Sequence, residues 1–209
     1  MSTNVHALEP TRSLQYARKP DRAEVEAAVR TIIRWSGDNP ERAGLIETPA
    51  RVTRALEEAF VGYGQDPAAV LQKSFDEIEG YDEMVVLRGV RFESRCEHHL
   101  APIVGRAWVA YVPDGRVVGI SKLARVVEIY ARRLQIQERF TAQIANVIER
   151  VLTPRGVGVL VKATPLHDRP RRPQARGGPC HQPHDRLFAR SFRTASGIPQ
   201  HDCLRVRRF

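Results

Sequence analysis

Through the first eighty residues the apolar positions fall at the three-and-four spacing of helices. Val25, Val29, Ile32 and Ile33 mark one helix, with Asp21 in the N-cap position. Gly37-Asp38-Asn39-Pro40 closes it. Thr48-Pro49 opens a second, a capping hydroxyl followed by proline at the first helical position. Val52, Leu56, Ala59 and Phe60 form its apolar stripe, and Gly62 and Gly64 stop it. Asp66-Pro67 starts a third, shorter helix that runs to about Lys73. The period then changes to two, from Met84 to Phe92 and again from Val104 to Val112, which predicts two antiparallel strands. Leu123, Val126, Val127 and Tyr130 predict a helix that begins near Ser121. Ile144, Val147, Ile148 and Val151 predict another over Arg139 to Leu152. After a turn at Thr153-Pro154-Arg155-Gly156, Val157 to Ala163 reads as a third strand. Helices followed by β-β-α-α-β make an α+β chain. It divides into a disordered arm (1–20), a helical region (21–80), a mixed domain (81–164) and a tail (165–209).

Composition sharpens this division. A chain of 209 residues that is 42% hydrophobic suits one compact domain with a helical extension. No apolar run approaches the roughly 18–20 residues of a membrane span, so no membrane partner is expected. The first residues lack the basic start and apolar stretch of a signal peptide. Three cysteines cannot close a disulfide framework, which points to a reducing cytoplasm. The net charge of +9 invites a nucleic-acid reading, but its distribution argues otherwise. Residues 1–164 hold 23 Lys/Arg against 21 Asp/Glu, whereas residues 165–209 hold 10 Arg against 3 Asp. The tail also carries six Pro and no Lys or Glu, and its Phe188, Phe192 and Phe209 have no regular spacing. That composition reads as a disordered basic tail with no folded nucleic-acid motif.

Candidate chemistry concentrates in Ser94-Arg95-Cys96-Glu97-His98-His99, on the connection between the two predicted strands. A thiol, a carboxylate and two imidazoles stand within four positions, all able to bind a metal or move a proton. Cys96 and His99, three apart, can reach one zinc ion. One Cys-x-x-His is half a site. By themselves, Lys122 and Arg125 read as solvated charges, and Glu138 as a carboxylate favoured by a helix N-terminus.

Separated stretches give these residues a common meaning. Glu47-Thr48-Pro49-Ala50-Arg51-Val52, Ser94 to Pro102, Gly119-Ile120-Ser121-Lys122-Leu123-Ala124-Arg125 and Gln135-Ile136-Gln137-Glu138-Arg139 stand in the order found in GTP cyclohydrolase I. From about Glu47 to Thr164 the chain strongly resembles that family. The resemblance implies a tunnelling-fold unit of β-β-α-α-β-β modules, commonly a homodecamer. It implies GTP as substrate and Zn2+ as cofactor. The implied reaction opens the guanine imidazole ring, releases C8 as formate and forms 7,8-dihydroneopterin triphosphate, the first step toward tetrahydrofolate. On this resemblance Cys96 and His99 are zinc ligands and His98 is the acid/base imidazole. Ser121, Lys122 and Arg125 serve the triphosphate and ribose end, and Glu138 the guanine edge. A non-catalytic relative that keeps the nucleotide pocket and subunit contacts is the alternative reading.

The chain departs from the family after Thr164. A third zinc ligand is expected from a His-x-Cys-Met motif followed by Arg-Gly. Pro165-Leu166-His167-Asp168 stands there instead, with His167 at the position of the ligand cysteine. His167 is the available substitute, since imidazole also ligates zinc. One choice of codons for Thr164 to Arg176, read one base later, gives His-Leu-Cys-Met-Thr-Gly-Arg-Gly-Val-His-Lys-Pro. The expectation is a frameshift just before Pro165, natural or from sequencing, with loss of the fourth strand and last helix; the gene sequence across codon 164 tests it. Such a loss leaves an unpaired edge on the third strand.

Overall fold

The computed structural model describes residues 18–72 and 83–165 and, as backbone, 186–189. The disordered-arm reading therefore falls almost wholly outside the described residues, as do His167 and the tail apart from Pro165 and residues 186–189. The chain forms two compact units, residues 1–56 and 57–209.

In the first unit, helix α1 spans Arg22–Trp35. Asp21 caps it as its sequence position predicts. Its carboxylate accepts from the Glu24 amide at 2.9 Å, and the Glu24 carboxylate accepts from the Asp21 amide at 2.9 Å. This reciprocal box satisfies two donors that a helix start leaves open. Val29 is buried, but Ile32 and Trp35 are exposed, so the apolar stripe of α1 is only partly covered among the described residues. Helix α2 spans Thr48–Ala59, beginning at the threonine itself and continuing past Leu56 into the second unit.

The second unit carries the sheet. A 3-10 turn at Val61–Gly64 and a short helix α3, Pro67–Gln72, lead into it. Then come β1 (Val85–Cys96), β2 (Pro102–Val112), α4 (Ile120–Ala131), β3 (Leu134–Gln135), α5 (Gln137–Leu152), β4 (Gly156–Pro165) and β5 (Arg186–Ala189). Spatial order is β3-β1-β2-β4-β5, antiparallel except for the parallel pair β1–β3. α4 packs on β1, α5 on β4, and α3 against both helices. Their shared face is the core: Leu87, Ala107, Val109 and Tyr111 from the sheet meet Leu123, Val126, Val127, Ile144, Val147 and Ile148. The predicted helical stripes are the residues that make it.

One irregularity in β1 decides which way the central cluster faces. Val85 and Leu87 are buried, and so are Phe92, Ser94 and Cys96, so the inward positions change from odd to even. The pairing with β2 shifts between Leu87 and Val90, and Gly89 stands there at φ +62°. A one-residue bulge turns every later side chain to the other face. It is this bulge that puts the Cys96 thiol inward. Gly105, opposite Phe92 on β2, is equally constrained: a Cβ there would lie 2.7 Å from the Phe92 ring and 2.4 Å from the Lys162 carbonyl oxygen.

Three elements differ from the sequence reading, one of them the two-residue β3, which no period announced. The predicted connection begins later, because β1 runs through Cys96 and only Glu97 to His99 form the turn. In place of a full-length fourth strand, Arg186–Ala189 pair with Leu160 to Ala163 and cover part of the β4 edge. Four residues are too few to show a period, and pairing through main-chain groups on an open edge demands little of side chains.

Candidate active site

The turn after β1 is closed by its own backbone. The Cys96 amide donates to the Ala101 carbonyl at 2.8 Å, and the Leu100 amide donates to the Cys96 carbonyl at 2.8 Å. Leu100 takes a left-handed conformation, φ +56°, to complete it. A non-glycine residue held there stores strain of order 1 kcal/mol, which the surrounding bonds maintain. The strand β3 runs alongside, pairing Cys96 with Gln135, and the Glu97 amide donates to the Gln135 carbonyl at 3.1 Å. Beneath it, the Ser94 hydroxyl donates to the Arg133 carbonyl at 3.2 Å.

Within this frame the Cys96 sulfur and His99 Nδ1 stand 3.8 Å apart. Two donors at zinc bond lengths of about 2.3 and 2.0 Å, set at a tetrahedral angle, are about 3.6 Å apart, so the pair fits one metal ion. Cys96 is buried on the core side and His99 is exposed at the surface. Among the described residues no group of three or more His, Cys, Asp or Glu comes together to hold a metal. The His98 ring stands edge-on to that of His99 at 6.1 Å between centroids, with its side chain 64% exposed.

Glu138 lies in the first turn of α5, on the residues that follow β3. The same turn is anchored to the sheet, where Gln137 Nε2 donates to the Val161 carbonyl at 3.0 Å. Next to Glu138, Arg139 Nη1 donates to Glu97 Oε2 at 2.6 Å, and Glu97 Oε1 faces His98 Nε2 at 3.9 Å. Arg139 was not singled out by the sequence, and Glu97 was named only as one of four neighbouring groups able to bind a metal or move a proton, although both lie in the quoted motifs. The available signal was a cation in the first turn of a helix, where the macrodipole disfavours it.

Ser121, Lys122 and Arg125 stand elsewhere. α4 starts beside Val118, whose amide donates to Tyr111 Oη at 2.9 Å, and Tyr111 pairs with Val85 at the beginning of β1. It ends near Ser94 at the other end of that strand. At about 1.5 Å per residue, Ser121 is roughly 15 Å along the helix from Ala131. From Val85 to Cys96 the strand covers roughly 30 Å. Within one chain the structure therefore brings together Cys96, His98 and His99, joins their turn through Glu97 and Arg139 to the start of α5 that bears Glu138, and places the three predicted triphosphate residues toward the opposite end of the sheet.

The protein-family model of GTP cyclohydrolase I matches residues 25–170, which take in every described candidate above. The GTP cyclohydrolase 1 proteins of Brucella abortus (strain S19) and Brucella melitensis biotype 1 are each 57% identical over 146 residues, covering 70% of this chain and 68% of theirs. That of Brucella suis biovar 1 is 56% identical over the same length. Among solved structures, the archaeosine synthase QueF-Like in its apo form aligns with 40% of this chain and 82% of its own at 25% identity, with a TM-score of 0.37. No described helix is long and apolar enough to cross a membrane. With the family model matched across helices, sheet and turn alike, the chain belongs to the GTP cyclohydrolase I family.

Proposed function

We propose that this chain catalyses the GTP cyclohydrolase I reaction, hydrolysing the guanine imidazole ring of GTP to release formate and form 7,8-dihydroneopterin triphosphate. The observation that carries the reading is the Cys96–His99 pair at 3.8 Å, held in a closed turn inside a 146-residue stretch 57% identical to named relatives. Cys96 and His99 would hold zinc, with His167 standing at the position of a third ligand; when bound, such an ion supplies a water acidic enough to react at neutral pH. His98 is the neighbouring imidazole, exposed and outside the metal pair, and would carry protons to and from the substrate. Glu138 projects from the α5 start, where a carboxylate can accept from the N–H groups of the guanine edge. Ser121, Lys122 and Arg125 would bind the triphosphate as charge-assisted donors at the first turns of α4.

The separation of these two groups along the sheet supports a homo-oligomer. One chain would supply the metal and guanine residues and a neighbouring copy the cations, a head-to-tail arrangement that closes into a ring. A cytoplasmic setting fits a chain whose described cysteine is a free thiol. Incubating the purified, zinc-loaded chain with GTP tests the reading. Formate and a fluorescent pterin should appear together in equal amounts, and a metal-loaded chain that yields neither overturns it.

A further inference from the structure

We infer that Glu97, clamped by Arg139, is a positioning residue that fixes the His98 turn against the start of α5. The inference rests on the functional reading above, because it assigns the clamp a task in bringing His98 and Glu138 to one substrate.

Glu97 uses both carboxylate oxygens in different directions. One accepts from Arg139 Nη1 at 2.6 Å, and the other faces His98 Nε2 at 3.9 Å. The second distance is too long for a hydrogen bond, but such contacts are often long before substrate binds and shorten afterwards. The Glu97 side chain is only 23% exposed, against 64% for His98, so the carboxylate is the more shielded of the two from solvent. Its amide is fixed as well, donating to the Gln135 carbonyl.

Arg139 explains why this is more than a surface ion pair. It is the third residue of α5, where the helix dipole disfavours a cation by a few tenths to about 1 kcal/mol. A basic residue retained there needs a compensating anion, and Glu97 supplies it from another element 42 positions away. Arg139 also follows Glu138 directly. The pair therefore bridges the two segments whose mutual placement the proposed chemistry requires: the turn that bears the proton carrier and the helix start that bears the guanine carboxylate. The backbone pairing with β3 at Gln135 already sets the two segments side by side, and the side-chain pair adds a charge-assisted contact that fixes their approach.

The test uses the full chain, zinc-loaded. Glu97→Gln keeps the shape and removes the charge. It should lower kcat by roughly tenfold to a hundredfold, the range seen for orienting partners around a metal site, while KM stays within about threefold. Zinc content per chain should not change. The reversed pair, Glu97→Arg with Arg139→Glu, should recover at least about tenfold over the worse single variant, which shows that the two residues act through each other. An unchanged kcat in Glu97→Gln, or a loss that tracks zinc content alone, overturns the positioning role. Urea unfolding of Glu97→Ala, Arg139→Ala and the double variant reads the clamp without turnover. The double variant should be no less stable than the worse single one, and strictly additive losses overturn the clamp. A wild-type chain that makes no product defeats the functional reading, and with it the task of the clamp, whereas the unfolding cycle still decides whether the clamp exists.

Discussion

The two ends of the sheet are built to different tolerances. At the end that carries Cys96, separate segments interlock. Arg133 donates to the carbonyls of Gly62 and Gln65 at 2.9 Å each, with its guanidinium 5.0 Å above the Tyr130 ring. The Leu134 amide donates to Tyr63 Oη at 3.1 Å, and Gln135 Nε2 donates to the Tyr130 carbonyl at 2.8 Å. At the other end the Tyr111 hydroxyl fixes the approach to α4, and Gly119 precedes the helix without a side-chain cap. Ser121 and Arg125 then leave an exposed helix surface. The proposed roles account for the difference. A proton carrier at the Cys96 end would lose rate when displaced by an ångström, so its turn would have to be braced. Cations proposed to hold a triphosphate would act through a field that changes slowly over the same distance.

The sharpest way to break this comparison is to disable one end at a time. Cys96→Ser should lose bound zinc and more than about a hundredfold in turnover, beyond the loss typical of a mere orienting partner. Lys122→Ala should keep its zinc and raise the KM for GTP by roughly tenfold to a hundredfold, the worth of a hydrogen bond to a charged group. Neither variant alone supplies a complete site. If the two ends meet only between chains, then unfolding and reassembling the two variants together should restore about a quarter of the wild-type sites. Reassembled mixtures no more active than the separate variants would place both ends in one chain's own site.

A smaller effect concerns how the braced end is aimed. Gly89 holds the bulge that turns Cys96 inward, at a φ of +62° that a β-branched residue strongly resists. Gly89→Val should destabilise the chain by about 1–3 kcal/mol and lower Tm by several degrees. Gly89→Asn, which tolerates the left-handed region, should cost much less. Equal melting temperatures for the two variants would mean that the bulge does not depend on this glycine.

Most of the framework was legible because it rests on local rules. The N-cap at Asp21, the inward stripes of α4 and α5 and the period of β2 are each written in nearby residues. The bulge was not, because a two-fold alternation interrupted by one residue looks, along the sequence, like two short runs. β3 was missed for a related reason: two residues carry no period, and Leu134–Gln135 become a strand only because β1 lies beside them. The candidate residues themselves were found through several motifs read together. Their distribution over opposite ends was not legible, since it depends on α4 running back along β1. Nor was the link from Glu97 to Arg139, which joins residues of opposite charge across 42 positions.

The smallest effect tests the bracing itself. Tyr130 lies at the C-terminal end of α4, buried, and desolvation raises its phenol above the usual value, with Arg133 pulling the other way. The folded chain thus holds this proton more tightly than the unfolded chain does. Its contribution to stability is complete below the unfolded phenol pKa of about 10, and is lost as pH rises through the higher folded value. Melting temperatures of wild type and Tyr130→Phe should therefore diverge between pH 9 and pH 11, with the wild type falling further, in a range of about 10 set by the phenol. Other groups titrate in the same range, but they are common to both proteins and cancel in the difference. Parallel curves would mean that the phenolate is tolerated where it stands, and that the Arg133 guanidinium offsets the burial that the packing around Tyr63 and Tyr130 imposes.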